Sequence, residues 1–145
     1  MSYYASESVI RPLTHQDVQS LRELDGLAFG ESDQYDSTFY ESIIASDDFD
    51  ALVVSNETGA IMAWVLVDLA HRPIRVRSLS VHPAFQRRGL ASKLMEHVLN
   101  SHRKSIDLLV EPGNHAAMNL YRKLGFEVTD ADPEMPHRTR MVIGV

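Results

Sequence analysis

The segment Gln86-Arg87-Arg88-Gly89-Leu90-Ala91 follows a short apolar run, Leu79-Ser80-Val81, that His82-Pro83 brings to an end. Proline biases the residue before it towards extended backbone, so the run reads as a strand and the segment as a tight turn entering a helix. Glycine and alanine leave the first N–H groups of that helix uncovered, and those groups have no partner within the helix. The helix dipole adds to their attraction for an anion. With Arg87 and Arg88 alongside and Ser92 next in line, the segment has the chemistry of a phosphate cradle. The same residues also fit an ordinary helix start with arginines on a solvated face.

A second stretch, Asn114-His115-Ala116-Ala117-Met118-Asn119-Leu120-Tyr121-Arg122-Lys123-Leu124-Gly125-Phe126, holds an ionisable aromatic in a defined place. Asn114 suits a helix N-cap after Pro112-Gly113. Ala117, Met118, Tyr121 and Leu124 then share its face. Gly125 takes the left-handed position after the helix, which makes Tyr121 and Phe126 the pair that touch in a Schellman cap. Tyr121 should therefore face inward, either as a packed core residue or as a reactive one.

Hydrophobic periodicity sets the elements that must hold these stretches. Ser8 to Leu13 reads as a first strand. Thr14 and Asp17 form a capping box, with Leu13 and Val18 as its staple, opening a helix whose stripe is Leu21, Leu24, Leu27 and Ala28. Ser37 to Ala45 is a short second helix. Asp47, Asp48 and Asp50 read as a solvated turn. Ala51–Val54 and Ala60–Val67 are strands joined by a hairpin loop with Gly59 at its left-handed position. The second of them is apolar on both faces and should be central. Ile74 to Val81 is a fourth strand, with Arg75 and Arg77 on one face and Val76 on the other. A helix with Leu90, Leu94, Val98 and Leu99 on one side leads to a strand over 105–111. Phe126–Val128 and Thr139–Val145 are the last strands. One strand–helix–strand crossover, from Ile74 to Glu111, makes this an α/β or α+β fold with a single sheet.

The chain of 145 residues fits one domain, 1–145, with a single core. Its hydrophobic share of 44% and charged share of 23% are those of a soluble globular protein. It has no cysteine, which excludes a disulfide scaffold, a Cys-ligated zinc site and a cysteine nucleophile, and agrees with a cytoplasmic location. Met1 to Glu7 shows neither the basic nor the apolar region of a signal peptide. No apolar run reaches the length of a membrane span. A formal net charge of −6 argues against nucleic-acid binding. The seven histidines show no metal-ligand spacing, so no metal is expected.

Taken together, V-H-P, then Q-x-x-G-x-A, then helix, strand and N-x-x-A-x-x-L-Y-x-x-L-G-F resemble the GNAT superfamily of acyl-CoA-dependent N-acyltransferases. The motifs cover Leu79 to Phe126. The resemblance implies a mixed, mostly antiparallel sheet of six to seven strands, flanked by about four helices, with a splayed central parallel pair. It implies acetyl-CoA as co-substrate. Its pyrophosphate would lie on Gln86, Arg87, Arg88, Gly89, Leu90, Ala91 and Ser92, and its pantetheine arm beside Leu79, Val81, Asn114 and Ala117. Val81 would offer a backbone N–H to the thioester carbonyl, and Tyr121 would stand beside the sulfur. The implied partner is a small-molecule or peptide amine, held between loops 30–36, including Tyr35, and 129–137, by a monomer or homodimer. A non-catalytic acyl-CoA-binding sensor or partner module would share the cofactor residues.

The implied reaction suits these residue types. A neutral amine attacks the thioester carbon, and a fixed N–H donor helps most where negative charge develops. A tyrosine with a pKa of ~10 keeps its proton at neutral pH and can give it to the leaving thiolate, which assigns Tyr121 as general acid. Glu111 and Glu127, at strand ends near the implied cleft, are the candidates for the base, with Glu111 chosen, Asp68 and His82 weaker, and a water relay as an equal alternative. The family branch that acetylates ribosomal-protein N-termini carries a glutamate five residues before the asparagine. This chain has Leu109 there, so that role does not transfer.

Overall fold

The computed structural model describes residues 9–29 and 36–144. In chain order they form β1 (Val9–Pro12), α1 (Val18–Phe29), α2 (Ser37–Ile44), β2 (Phe49–Ser55), β3 (Ile61–Asp68), β4 (Ile74–Val81), α3 (Leu90–Ser101), β5 (Ile106–Val110), α4 (His115–Lys123), β6 (Glu127–Thr129) and β7 (Thr139–Ile143). Among the described residues seven strands make one sheet, ordered β1-β2-β3-β4-β5-β7-β6. Neighbouring strands are antiparallel except β4 and β5, which are parallel. This is the mixed, mostly antiparallel sheet with four flanking helices that the sequence implied. Ser8 and the segment from Gly30 to Tyr35 lie outside the described residues.

β3 shows why the sheet has helices on both faces. Met62, Ala63, Val65 and Val67 join the core under α3 and α4, while Ile61, Trp64 and Leu66 join the core under α1 and α2. All seven are buried, as a strand apolar on both faces requires. Each large apolar chain so buried stabilises the fold by about 1.5–3 kcal/mol.

The capping box forms at a 3-10 turn, His15–Asp17, rather than at the α-helix itself. The Asp17 carboxylate accepts the Thr14 N–H at 2.9 Å and also pairs with Arg11 at 2.7 Å, tying β1 to the start of α1. One residue of the expected stripe is misplaced: Leu27 is 61% exposed. The inner face of α1 passes through Val18, Leu21, Leu24 and Asp25, and helical period turns Leu27 away from it.

β4 also departs from simple alternation. Leu66 faces Ser78 while Val67 faces Val76, so Arg77 is an extra residue bulged out of the ladder. The bulge switches parity. Ile74 and Val76 before it, and Leu79 and Val81 after it, all pack on the α3–α4 side. Arg75 and Arg77 differ in burial instead. Arg75 is buried against the β5–β7 side, and Arg77 is exposed and bonded to Asp68.

Candidate active site

β4 and β5 pair only at Ile74–Ile106, Arg75–Asp107 and Val76–Leu108. Beyond those pairs the strands diverge, while β5 stays bonded to β7 along its whole length. The gap becomes a groove floored by the two strands and roofed by α4. Its depth follows from a network at the last points of pairing. Arg75 Nε and Nη2 donate to the two oxygens of Asp107 at 2.9 and 2.8 Å. Arg75 Nη1 lies 2.8 Å from Asp132 in the loop between β6 and β7, and Arg140 Nε lies 2.7 Å from Asp107. Burial alone would raise the pKa of Asp107, but the bonds from Arg75 and Arg140 outweigh it and hold the carboxyl below its ordinary value. Asp132, in the loop between β6 and β7, is one of the ties.

The groove opens into two cavities. The first, about 330 Å³, is lined by Leu79, Val81, Gln86, Arg87, Gly89, Leu90, Ala91, Ser92, Ala117 and Tyr121, joined by Phe85, Ala116 and Leu120, which sequence reasoning missed. The second, about 530 Å³, takes in Leu79, Glu111, Asn114, Ala117 and Tyr121, together with Arg77, Ser78 and Arg138. Leu79, Ala117 and Tyr121 line both, so Tyr121 stands where the two meet.

At the far end of the first cavity the backbone forms a concave turn. Arg87 (φ 66°) and Gly89 (φ 74°) are both left-handed, and Arg87 holds that conformation despite its side chain. No side chain caps the first turn of α3, and a Cβ placed on Gly89 would meet nothing within 4 Å. Uncapped N–H groups facing open space fit an anionic group such as a pyrophosphate. Arg88 lines neither cavity; its guanidinium lies 5.3 Å from the centroid of the Phe85 ring.

Val81 lies deeper. The His82 N–H donates to the Met62 carbonyl at 2.7 Å, while Val81 faces Ala63. That pattern makes Val81–Ala63 a non-hydrogen-bonded pair of the ladder, so the Val81 N–H points away from β3 and towards the gap left by β5.

The cap that sets Tyr121 has the expected form. Asn114 Oδ1 accepts the Ala117 N–H at 3.2 Å and starts α4. At the other end the Gly125 N–H donates to Arg122 and the Phe126 N–H to Tyr121, both at 3.0 Å, with Gly125 at φ 106°. Burial pushes the Tyr121 phenol up to about 12.

Glu111 lines the second cavity, with Arg138 Nε 3.1 Å from its Oε1. The other base candidates are placed elsewhere. Glu127 is exposed on the edge strand β6, Asp68 is bonded to Arg77, and His82 Nδ1 accepts the Ala84 N–H. None of the three lines either cavity. Arg138 carried no signal in the sequence, since it ends a polar loop and belongs to no motif.

A seven-stranded sheet with a splayed parallel pair, an uncapped helix start at Gly89 and a buried tyrosine at the join are the features of an acetyltransferase fold. The chain belongs to the Acetyltransferase (GNAT) family, whose model matches residues 17–126. The probable N-acetyltransferase san of Drosophila melanogaster is 26% identical over 125 residues, 81% of this chain and 67% of that protein. Two solved structures are similar in fold. Ard1 from Thermoplasma volcanium is 21% identical, with 96% of this chain and 98% of that one covered and a TM-score of 0.78. PaiA N-acetyltransferase from Thermoplasma acidophilum, solved with coenzyme A, is 16% identical, with 95% and 99% covered and a TM-score of 0.76.

Proposed function

We propose that this chain is an N-acetyltransferase that moves the acetyl group of acetyl-CoA to a primary amine, of a small molecule or a peptide, by direct attack in a ternary complex. The observation that carries the reading is Tyr121 lining both cavities at once, one reaching the uncapped turn at Gly89 and the other holding Glu111 and Arg138. Acetyl-CoA would supply the activated thioester. The turn from Gln86 to Ser92 would bind its pyrophosphate, and the edge of β4 around Leu79 and Val81 its pantetheine arm.

In the reaction the amine nitrogen forms a bond to the acyl carbon and the carbon–sulfur bond breaks. The Val81 N–H stabilises the carbonyl oxygen as it gains charge. Tyr121 gives its proton to the departing sulfur and regains one, through water, as the newly acylated nitrogen sheds its second proton. Glu111 takes the proton that an ammonium acceptor must lose, directly or through water. The cysteine-free composition is compatible with action in the cytoplasm.

The test is thiol release from acetyl-CoA with a panel of amines and peptides, with the acetylated product identified by mass. Amine-dependent release that falls away in Tyr121→Phe supports the assignment. Tight acetyl-CoA binding with no transfer to any amine would instead assign a sensor or partner module.

A further inference from the structure

The second cavity is charged in a way that restricts the acceptor. Its charged lining is two guanidinium groups, Arg77 and Arg138, and one carboxylate, Glu111, beside the neutral phenol of Tyr121. Arg77 spends its fork on Asp68, with Nε and Nη2 at 3.1 and 2.8 Å from Oδ2. Arg138 does not. Its Nε is buried and lies 3.1 Å from the Glu111 carboxylate, yet is not aligned for a hydrogen bond. Among the described residues its two Nη groups make no hydrogen bond. Glu111 and Arg138 remain partly exposed, at 58% and 37%. A pair this exposed holds together weakly, and a ligand can open it.

A polyamine entering this space would bring several positive charges to a lining with more cation than anion. A plain amine would occupy Glu111 and leave the Arg138 fork unused. A zwitterion exchanges the one loose pair for two, its ammonium on Glu111 and its carboxylate taken in two parallel bonds by Arg138. Since Glu111 and Arg138 stand side by side, the ammonium and carboxylate must also be neighbours in the ligand.

Resting on the N-acetyltransferase reading, we infer that the acceptor is an amino acid with a free carboxylate, and that Arg138 is the residue that selects for it. The experiment is acetyl transfer to the L-amino acids, each compared with its α-carboxamide, with spermidine and a carboxamide-capped peptide as carboxylate-free amines. For the preferred side chain the acid should exceed its carboxamide in kcat/KM by roughly tenfold to a hundredfold, the span of a charge-assisted bond. Arg138→Gln should bring that ratio close to one, mainly through the KM of the amino acid, with acetyl-CoA affinity unchanged as the control for folding. Arg138→Lys, which keeps the charge without the fork, should fall between. Carboxamides or the capped peptide used as well as the acids, or a ratio untouched in Arg138→Gln, would overturn the inference and leave the N-acetyltransferase reading standing. Acetyl-CoA binding with no amine acetylated would overturn both.

Discussion

The Tyr121 and Phe126 rings meet edge to face with centroids 5.8 Å apart, and the Phe126 N–H bonds the Tyr121 carbonyl at 3.0 Å. The residue proposed to protonate the sulfur is thus fixed by the cap that ends its own helix. Gly125 between them sits at φ 106°, and a Cβ there would lie 3.1 Å from Ile143 Cδ1. Gly125→Ala should therefore destabilise the fold by about 1–2 kcal/mol, read from urea unfolding. Turnover should fall as well, because Tyr121 shifts. An unchanged urea midpoint would mean that the cap does not hold the tyrosine.

Tyr121→Phe should lower kcat by about a hundredfold or more and leave acetyl-CoA affinity within about twofold, as expected for loss of a general acid. Burial holds the phenol at about 12, so Tyr121 stays protonated where an ordinary tyrosine ionises. The kcat–pH profile should then lack a falling limb near pH 10. The same shift bears on stability. Because the folded pKa exceeds the unfolded one, the contribution is full below the unfolded value of ~10 and is lost as pH rises through about 12. Alkaline melts of wild type should therefore fall more steeply over that range than those of Tyr121→Phe.

Asp107 works in the opposite direction. Its folded pKa is depressed, so its stabilisation is present above the unfolded value and is lost as pH falls through the folded one. Asp107→Asn leaves Arg75 and Arg140 without their shared carboxylate and should cost about 3–5 kcal/mol at neutral pH. The difference between variant and wild type should shrink in acid. A difference that holds constant down to pH 2 would contradict the assignment.

Asp25 is 1% exposed and accepts from Trp64 Nε1 at 3.0 Å, from Ser80 Oγ at 3.4 Å and from the Tyr40 hydroxyl. Burial raises its pKa against the pull of those bonds. Asp25→Ala leaves the Trp64 N–H buried without an acceptor, a cost of about 1–3 kcal/mol beyond the lost packing. Asp25→Asn keeps an acceptor and should cost distinctly less. Equal thermal melting of the two variants would show that the Trp64 bond contributes nothing.

What the sequence revealed was what neighbours along the chain decide. The Gly125 cap, the Asn114 cap and the turn at Gly89 each depend on a few consecutive residues, and all were readable. Arg75, Asp107, Asp132 and Arg140 were not, because only the strand order brings them together. The bulge at Arg77 broke the alternation from which the faces of β4 were read. Asp25 belongs to no motif, yet it lies four residues after Leu21 on the inner face of α1. Arg138 reaches the groove only because β7 lies against β5.

The most direct test of the central claim, that one groove holds acetyl-CoA with its pyrophosphate on the turn at Gly89, is calorimetric titration of acetyl-CoA into the cofactor-stripped protein and into Gly89→Glu. A glutamate there would push its carboxylate into the space meant for phosphate and would strain a left-handed position. The account predicts saturable one-to-one binding by wild type and at least about a hundredfold weaker binding by a folded Gly89→Glu, a difference of roughly 2.8 kcal/mol. Equal binding by both proteins, or none by wild type, would contradict it.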